Sequence, residues 1–272
     1  MNKTSFVKSS IIYTIGNLII KGVSFFTLPI FTRLMLPGEF GKFALYTSAL
    51  GIVTIFVSLQ IQSSIGIAYK RYYNDQQKFN SFIGNTMLLP IIISILLIII
   101  GSVFPSLSNF LGSNNGSLII WTLILNALFS SFVTIFTSAM IFEQKPSKHL
   151  LYSLVYTLLN VIISVALVIY MSNDTYFARV LGILVSTTII GLILFLQYAK
   201  YITIYKLISD WKFGLALSLP LIFHVLSQQV LSYVDRFMLD YYINENEVGI
   251  YSFVYNIGMI ISLLLSSINN AW

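Results

Sequence analysis

Apolar residues in this chain come in long unbroken blocks separated by short polar or charged stretches, without the alternation of a half-buried strand. The segment Leu88–Ile100 is apolar at every position but Ser94. From Phe79 to Phe142 there is no charged residue at all. A helix needs about 20 apolar residues to cross the hydrocarbon layer of a bilayer, so that run holds two helices. The polar stretch around Pro105–Asn109 and Gly112–Ser117 divides them, as turn residues do. Cutting the whole chain by this rule predicts eight spans: about 9–32, one between Lys42 and Lys70, then 83–104, 118–141, 150–171, 179–199, 213–234 and 248–270. A lone span must satisfy its own backbone hydrogen bonds in lipid, which a helix does and a single strand does not. The expected fold class is therefore all-α, a polytopic membrane helix bundle of about eight transmembrane helices.

Composition agrees. The chain is 57% hydrophobic and 9% charged, with a mean hydropathy of +0.87, against about 25% charged residues in an average soluble domain. Lys3 and Lys8 precede an apolar stretch in the manner of a secretory signal. Lys21 interrupts that stretch and no small-residue cleavage site follows, so it reads as a retained first helix.

The net charge of +6 changes the picture only through its placement. With the N-terminus inside, ten of the fifteen Lys and Arg residues fall in cytoplasmic segments: Lys3, Lys8, Lys70, Arg71, Lys78, Lys145, Lys148, Lys200, Lys206 and Lys212. The outer loops hold Arg33, Lys42, Arg179 and Arg236, with Glu39, Asp174, Asp235, Asp240, Glu245 and Glu247. Both termini are thus expected in the cytoplasm, and the positive charge needs no nucleic acid to explain it. Lys21 alone remains inside a span.

Two stretches repeat. Arg33-Leu-Met-Leu36 followed by Glu39-Phe-Gly-Lys-Phe43 matches Arg236-Phe-Met-Leu239 followed by Glu247-Val-Gly-Ile-Tyr251, with five more residues between the halves of the second copy. Six helices separate the copies, so both face the same way: a parallel repeat about an axis along the membrane normal.

Several chemistries are excluded. Without cysteine and with only His149 and His224, the chain has no disulfide, thiolate nucleophile or histidine-rich metal site. It has no phosphate-binding glycine loop of the Walker type, no catalytic constellation and no expected cofactor. Its outer loops are too short for a glycan polymerase or glycosyltransferase domain, and a multidrug exporter would favour an acidic cation site in a span, which this sequence does not offer.

The segments Lys21-Gly-Val-Ser-Phe-Phe-Thr-Leu-Pro-Ile-Phe-Thr-Arg33, Pro37-Gly-Glu-Phe-Gly41, Leu219-Pro220, Asp235-Arg236 and Glu247–Tyr251 resemble the polysaccharide or O-antigen flippase family, within the multidrug/oligosaccharidyl-lipid/polysaccharide exporter superfamily. The resemblance implies two six-helix lobes around a cavity open alternately to either side of the membrane. It implies a substrate built as a glycan on undecaprenyl diphosphate, a bacterial inner-membrane location, and polysaccharide polymerase and chain-length machinery as partners. By this pattern residues 1–207 form a first lobe and 208–272 the first two helices of a second. Family members have twelve or fourteen helices, so the chain is expected to be a fragment, a disrupted reading frame or a shortened protein that pairs with itself, with a truncated half-transporter without autonomous transport as the alternative function.

Candidate residues follow from moving a diphosphate through hydrocarbon. Lys21, midway along the first span, is the first candidate for a diphosphate contact, since a mid-bilayer charge costs about 2.5–3.5 kcal/mol on insertion scales and usually faces a cavity or a partner. Arg33 and Arg236 are candidates near the outer surface. Arg179, at the outer end of the sixth span, is expected to snorkel. His224 is the candidate for proton coupling, with Asp235 a coupling or gate residue. Asn17, Gln60, Asn85, Asn160, Gln228 and Asn256 place amides in spans, where they can meet sugar hydroxyls or bond between helices.

Overall fold

The computed structural model describes residues 3–103 and 117–271, apart from the side chains of 3–15, 17, 21, 24, 117 and 260–271. The described residues contain helices and no strand. In chain order the helices are α1 (Lys3–Leu34), α2 (Pro37–Ser58), α3 (Ile65–Arg71), α4 (Gln76–Val103), α5 (Ser117–Phe142), α6 (Pro146–Tyr170), α7 (Thr175–Ala199), α8 (Leu207–Tyr242) and α9 (Glu245–Ala271). Seven of them coincide with expected spans, and α2 and α3 together occupy the remaining one. Six of them, α2 and α4 to α8, are long and apolar enough to cross a membrane among the described residues. The chain is a multi-pass integral membrane protein.

Local chemistry sets the helix starts. Pro37 and Pro146 occupy the first position of α2 and α6, where the missing N–H costs nothing and φ is already helical. Three other helices are capped in one manner: the side chain just before the helix accepts the N–H of its third residue. Asp75 takes the Lys78 N–H at 3.0 Å, Asp174 that of Phe177 at 3.0 Å, and Asn244 that of Glu247 at 3.0 Å.

One expected element breaks. The span between Lys42 and Lys70 is not a single helix. α2 stops at Ser58, Leu59 and Gln60 take left-handed φ values of 48° and 52°, and a 3₁₀ turn (Ile61–Ser64) leads into α3. The 22 residues of α2 already extend about 33 Å, enough for the hydrocarbon, so the break falls past the far end of the span. It turns the next helix, which carries Lys70 and Arg71, in a new direction.

The chain divides into two compact units: residues 1–45, 146–182 and 234–272, and residues 46–145 and 183–233. In the first, α1 packs along α6, and Phe31, Met35, Phe40, Val168 and Ala178 form the buried centre. In the second, α4 packs along α5 around Phe79, Phe82, Met87, Ile119, Phe132 and Ile135, with Phe132 and Phe195 stacked at 5.1 Å.

Candidate functional site: the junction of the two repeat copies

The two sequence repeats meet. Gly41 of α2 and Gly249 of α9 lie backbone against backbone. A Cβ added at Gly41 would stand 3.0 Å from the Gly249 nitrogen and collide with the Glu245 carbonyl oxygen. A Cβ added at Gly249 would stand 3.2 Å from the Gly41 nitrogen and collide with the Pro37 carbonyl oxygen. Pro37 is four residues before Gly41, and Glu245 is four before Gly249. The contact is reciprocal, residue for residue, as a two-fold axis between the copies requires. Small residues let helix backbones approach this closely in a membrane.

Polar contacts ring the crossing. Lys42 Nζ lies 3.5 Å from Glu245 Oε2 of the opposite copy and 3.7 Å from Glu39 Oε1 of its own. Glu39 Oε2 also accepts the Tyr176 N–H at 2.8 Å. That N–H belongs to the first turn of α7, whose donors the helix's own carbonyls do not reach and where the helix dipole favours an anion. Glu39 therefore ties α2 to α7, and Lys42 ties α2 to α9. Beneath the crossing, Met35, Phe40 and Phe253 with Thr32 and Ile250 line an apolar hollow of 190 Å³. The arrangement holds the C-terminal ends of α1 and α8 and the N-terminal ends of α2 and α9 together through backbone shape and a few partly exposed charges.

The candidate residues are distributed unevenly. Asp235 and Arg236 stand together on α8 against α9: Tyr251 donates its hydroxyl proton to Asp235, Arg236 Nε donates to Ser252 Oγ at 3.2 Å, and the Arg236 guanidinium lies 4.8 Å from the Tyr255 ring. Arg236 is buried, whereas its repeat partner Arg33 is exposed. Asn256 is exposed on α9, one turn beyond Ser252, and Asn160 is half-buried on α6. His224 and Gln228 share an exposed face of α8, with Gln228 Nε2 3.4 Å from His224 Nε2. Gln60 stands in the break after α2, buried, its Oε1 accepting from Gln62 at 2.7 Å. The side chains of Lys21 and Asn17 lie outside the described residues; both positions are on α1.

Asn85 is fully buried on α4 and its amide is engaged throughout. Nδ2 donates to Asp210 Oδ2 at 2.7 Å, Oδ1 accepts the Thr203 N–H at 2.9 Å, and its backbone carbonyl accepts Trp211 Nε1 at 2.7 Å. Asp210 is not marked by spacing alone, because an acid between the sixth and seventh apolar runs looks like a loop residue. Its signal was its place just before an apolar run; its partner lies 125 residues earlier. Arg179 also differs from expectation. Its guanidinium lies 3.4 Å from the Phe31 ring centroid and 5.0 Å from that of Phe43, with Nη1 buried. A flat cation stacks on aromatic faces, and these rings hold it inward.

Comparisons with known proteins fit this architecture. Residues 6–272 match the family described as polysaccharide biosynthesis protein. A Haemophilus influenzae protein of the Lsg locus is 25% identical over 97% of this chain and 64% of its own length. An uncharacterised membrane protein of the same organism is 24% identical over 98% of this chain and 64% of its own length. The chain thus spans somewhat under two thirds of these relatives. Among solved structures, the MATE multidrug transporter DinF-BH superposes with a TM-score of 0.78 at 13% identity, covering 100% of this chain and 64% of that one. A MOP superfamily transporter from Pyrococcus furiosus gives 0.66 at 17% identity, over 98% and 62%. At these identities the likeness is one of fold. The chain belongs to the polysaccharide biosynthesis protein family.

Proposed function

We propose that this chain moves a lipid-linked oligosaccharide, an O-antigen, capsule or related unit on undecaprenyl diphosphate, from the cytoplasmic to the outer leaflet of a bacterial inner membrane by alternating access. The observation that carries the reading is the meeting of the two repeat copies at Gly41 and Gly249, in a chain of the polysaccharide biosynthesis family. Alternating access needs two related halves that part at one end and close at the other. A reciprocal glycine contact is a closed end that can part. On this reading residues 1–207 form a first lobe and 208–272 begin a second. Lys21 contacts the diphosphate, Arg236 and Asp235 belong to the outer gate, and the exposed span amides Gln228 and Asn256 meet sugar hydroxyls, whereas Asn85 and Gln60 serve the bundle itself.

A second reading, a multidrug exporter, is favoured by the likeness to DinF-BH and by the buried Asp210. Expression in a bacterium lacking its own O-antigen or capsule flippase separates them. Restored surface glycan supports the first reading. Dye efflux without glycan, from protein that reaches the membrane, contradicts it and supports the second.

A further inference from the structure

At the end of the second unit that the charge distribution assigns to the cytoplasm, Lys70 and Arg71 close α3, Lys78 stands in the first turn of α4, and Lys206 ends the 3₁₀ turn before α8. These four cations line one open basin of 510 Å³. Asp75 is the single carboxylate on its wall, leaving a net +3 from four cations and one anion. That carboxylate is already committed. It caps α4 through the Lys78 N–H at 3.0 Å and pairs with Lys78 Nζ at 2.7 Å. Among the described residues Lys70, Arg71 and Lys206 are in no ion pair. Arg71 is also held in place, its guanidinium 4.6 Å from the Phe213 ring, so it loses little freedom on meeting an anion. Tyr72 lies on the wall as well, and burial, with Asp210 second, pushes its phenol up. It stays a neutral O–H donor.

Apolar side chains stand beside Lys206. Ile204, Tyr205 and Ile208 flank Lys206 in the chain and are 82%, 82% and 77% exposed. A free phosphate in water has no use for them; the chains of a lipid do.

From this juxtaposition we propose that the basin binds the phosphate headgroup of a membrane amphiphile, with Lys70, Arg71 and Lys206 as its cationic contacts. Such a group is carried by the anionic phospholipids of the bilayer and by an isoprenyl diphosphate. The proposal holds whether the protein exports glycans or drugs, so it does not rest on the reading above.

The test is binding to the full chain in phosphatidylcholine nanodiscs, with phosphatidylglycerol, a long-chain isoprenyl diphosphate and inorganic pyrophosphate as separate probes. Each Lys or Arg near a lipid surface contributes enough for roughly a fivefold change in affinity. The triple variant Lys70→Gln, Arg71→Gln, Lys206→Gln is therefore expected to weaken binding of a lipid probe at least tenfold. The charge-preserving variant Lys70→Arg, Arg71→Lys, Lys206→Arg is expected to retain it, which separates charge from misfolding. Lys200→Gln, a cation outside the basin, is expected to cost no more than the roughly fivefold effect of a single surface charge. Preference for the isoprenyl diphosphate assigns the site to a substrate-type headgroup, and equal binding of phosphatidylglycerol assigns it to bilayer lipid; either supports the proposal. Undiminished lipid binding in the triple variant overturns it, and so does pyrophosphate binding as tight as that of the lipids.

Discussion

Gly41 and Gly249 face each other at the crossing of α2 and α9, each nitrogen 3.0 to 3.2 Å from where a Cβ on the other would stand. A side chain there meets backbone, which cannot rotate away. Overpacking of this kind typically costs about 1–3 kcal/mol. Alanine also gains up to about 1 kcal/mol over glycine within a helix, but that gain is the same whether the junction is open or closed. Gly41→Ala and Gly249→Ala should therefore favour the parted junction and leave the helices intact. Distances between spin labels on α2 and α9 should lengthen in either variant. Unchanged distances would mean that the crossing tolerates a side chain.

Asn85 joins α4 to the start of α8 through Asp210 and Trp211. An interhelical hydrogen bond in a membrane averages about 0.6 kcal/mol. Here the partner is a buried carboxylate that the substitution would strand, and bonds to charged groups are worth about 1.5–3 kcal/mol. Asn85→Ala should lower thermal stability in detergent by about 2 kcal/mol or more. A loss near the membrane average would show that Asp210 finds another donor.

Asp75 gives a pH dependence with a definite sign. The Lys78 side chain, bonded to its carboxylate, holds Asp75 below the usual carboxylate range. A carboxyl depressed by folding stabilises the fold above its unfolded pKa, and that contribution fades as pH falls through the lower folded value. Protection of the Lys78 amide from hydrogen exchange, corrected for intrinsic rate, should hold from pH 7 down to about 4 and fall below that. Asp75→Asn should remove the dependence. Protection already lost between pH 7 and 5 would contradict the assignment.

Lys21 stands midway along α1. Its removal should ease insertion, because a charge at the bilayer centre costs about 2.5–3.5 kcal/mol. Lys21→Ala should therefore reach the membrane at normal levels and export little glycan. Normal export would remove Lys21 from the mechanism.

Much of this was legible in the sequence, for physical reasons. Lipid forces each apolar block to be a helix, so Leu88–Ile100 could only be the heart of α4. The ends were harder: α4 begins at Gln76, several residues before its apolar run, because a helix continues past the hydrocarbon wherever caps such as Asp75 support it. The break at Leu59–Gln60 carried no glycine or proline to mark it. The repeat was visible because its contact is made by backbone, and only glycine permits it at positions 41 and 249. The setting of Arg179 depends on Phe31, and that of Asp210 on Asn85, residues far apart in the chain that spacing alone does not join.

The proposed function requires the junction of the repeats to part as a gate. Gly38 and Asn246 flank it, a Cβ at Gly38 falling 3.7 Å from the Asn246 Cγ, and the chain has no cysteine to interfere. The decisive measurement is glycan export by the double variant Gly38→Cys, Asn246→Cys before and after oxidation. The expected result is a cross-link that abolishes export and a reductant that restores it. Export at the full rate with the cross-link intact would show that the junction is no gate.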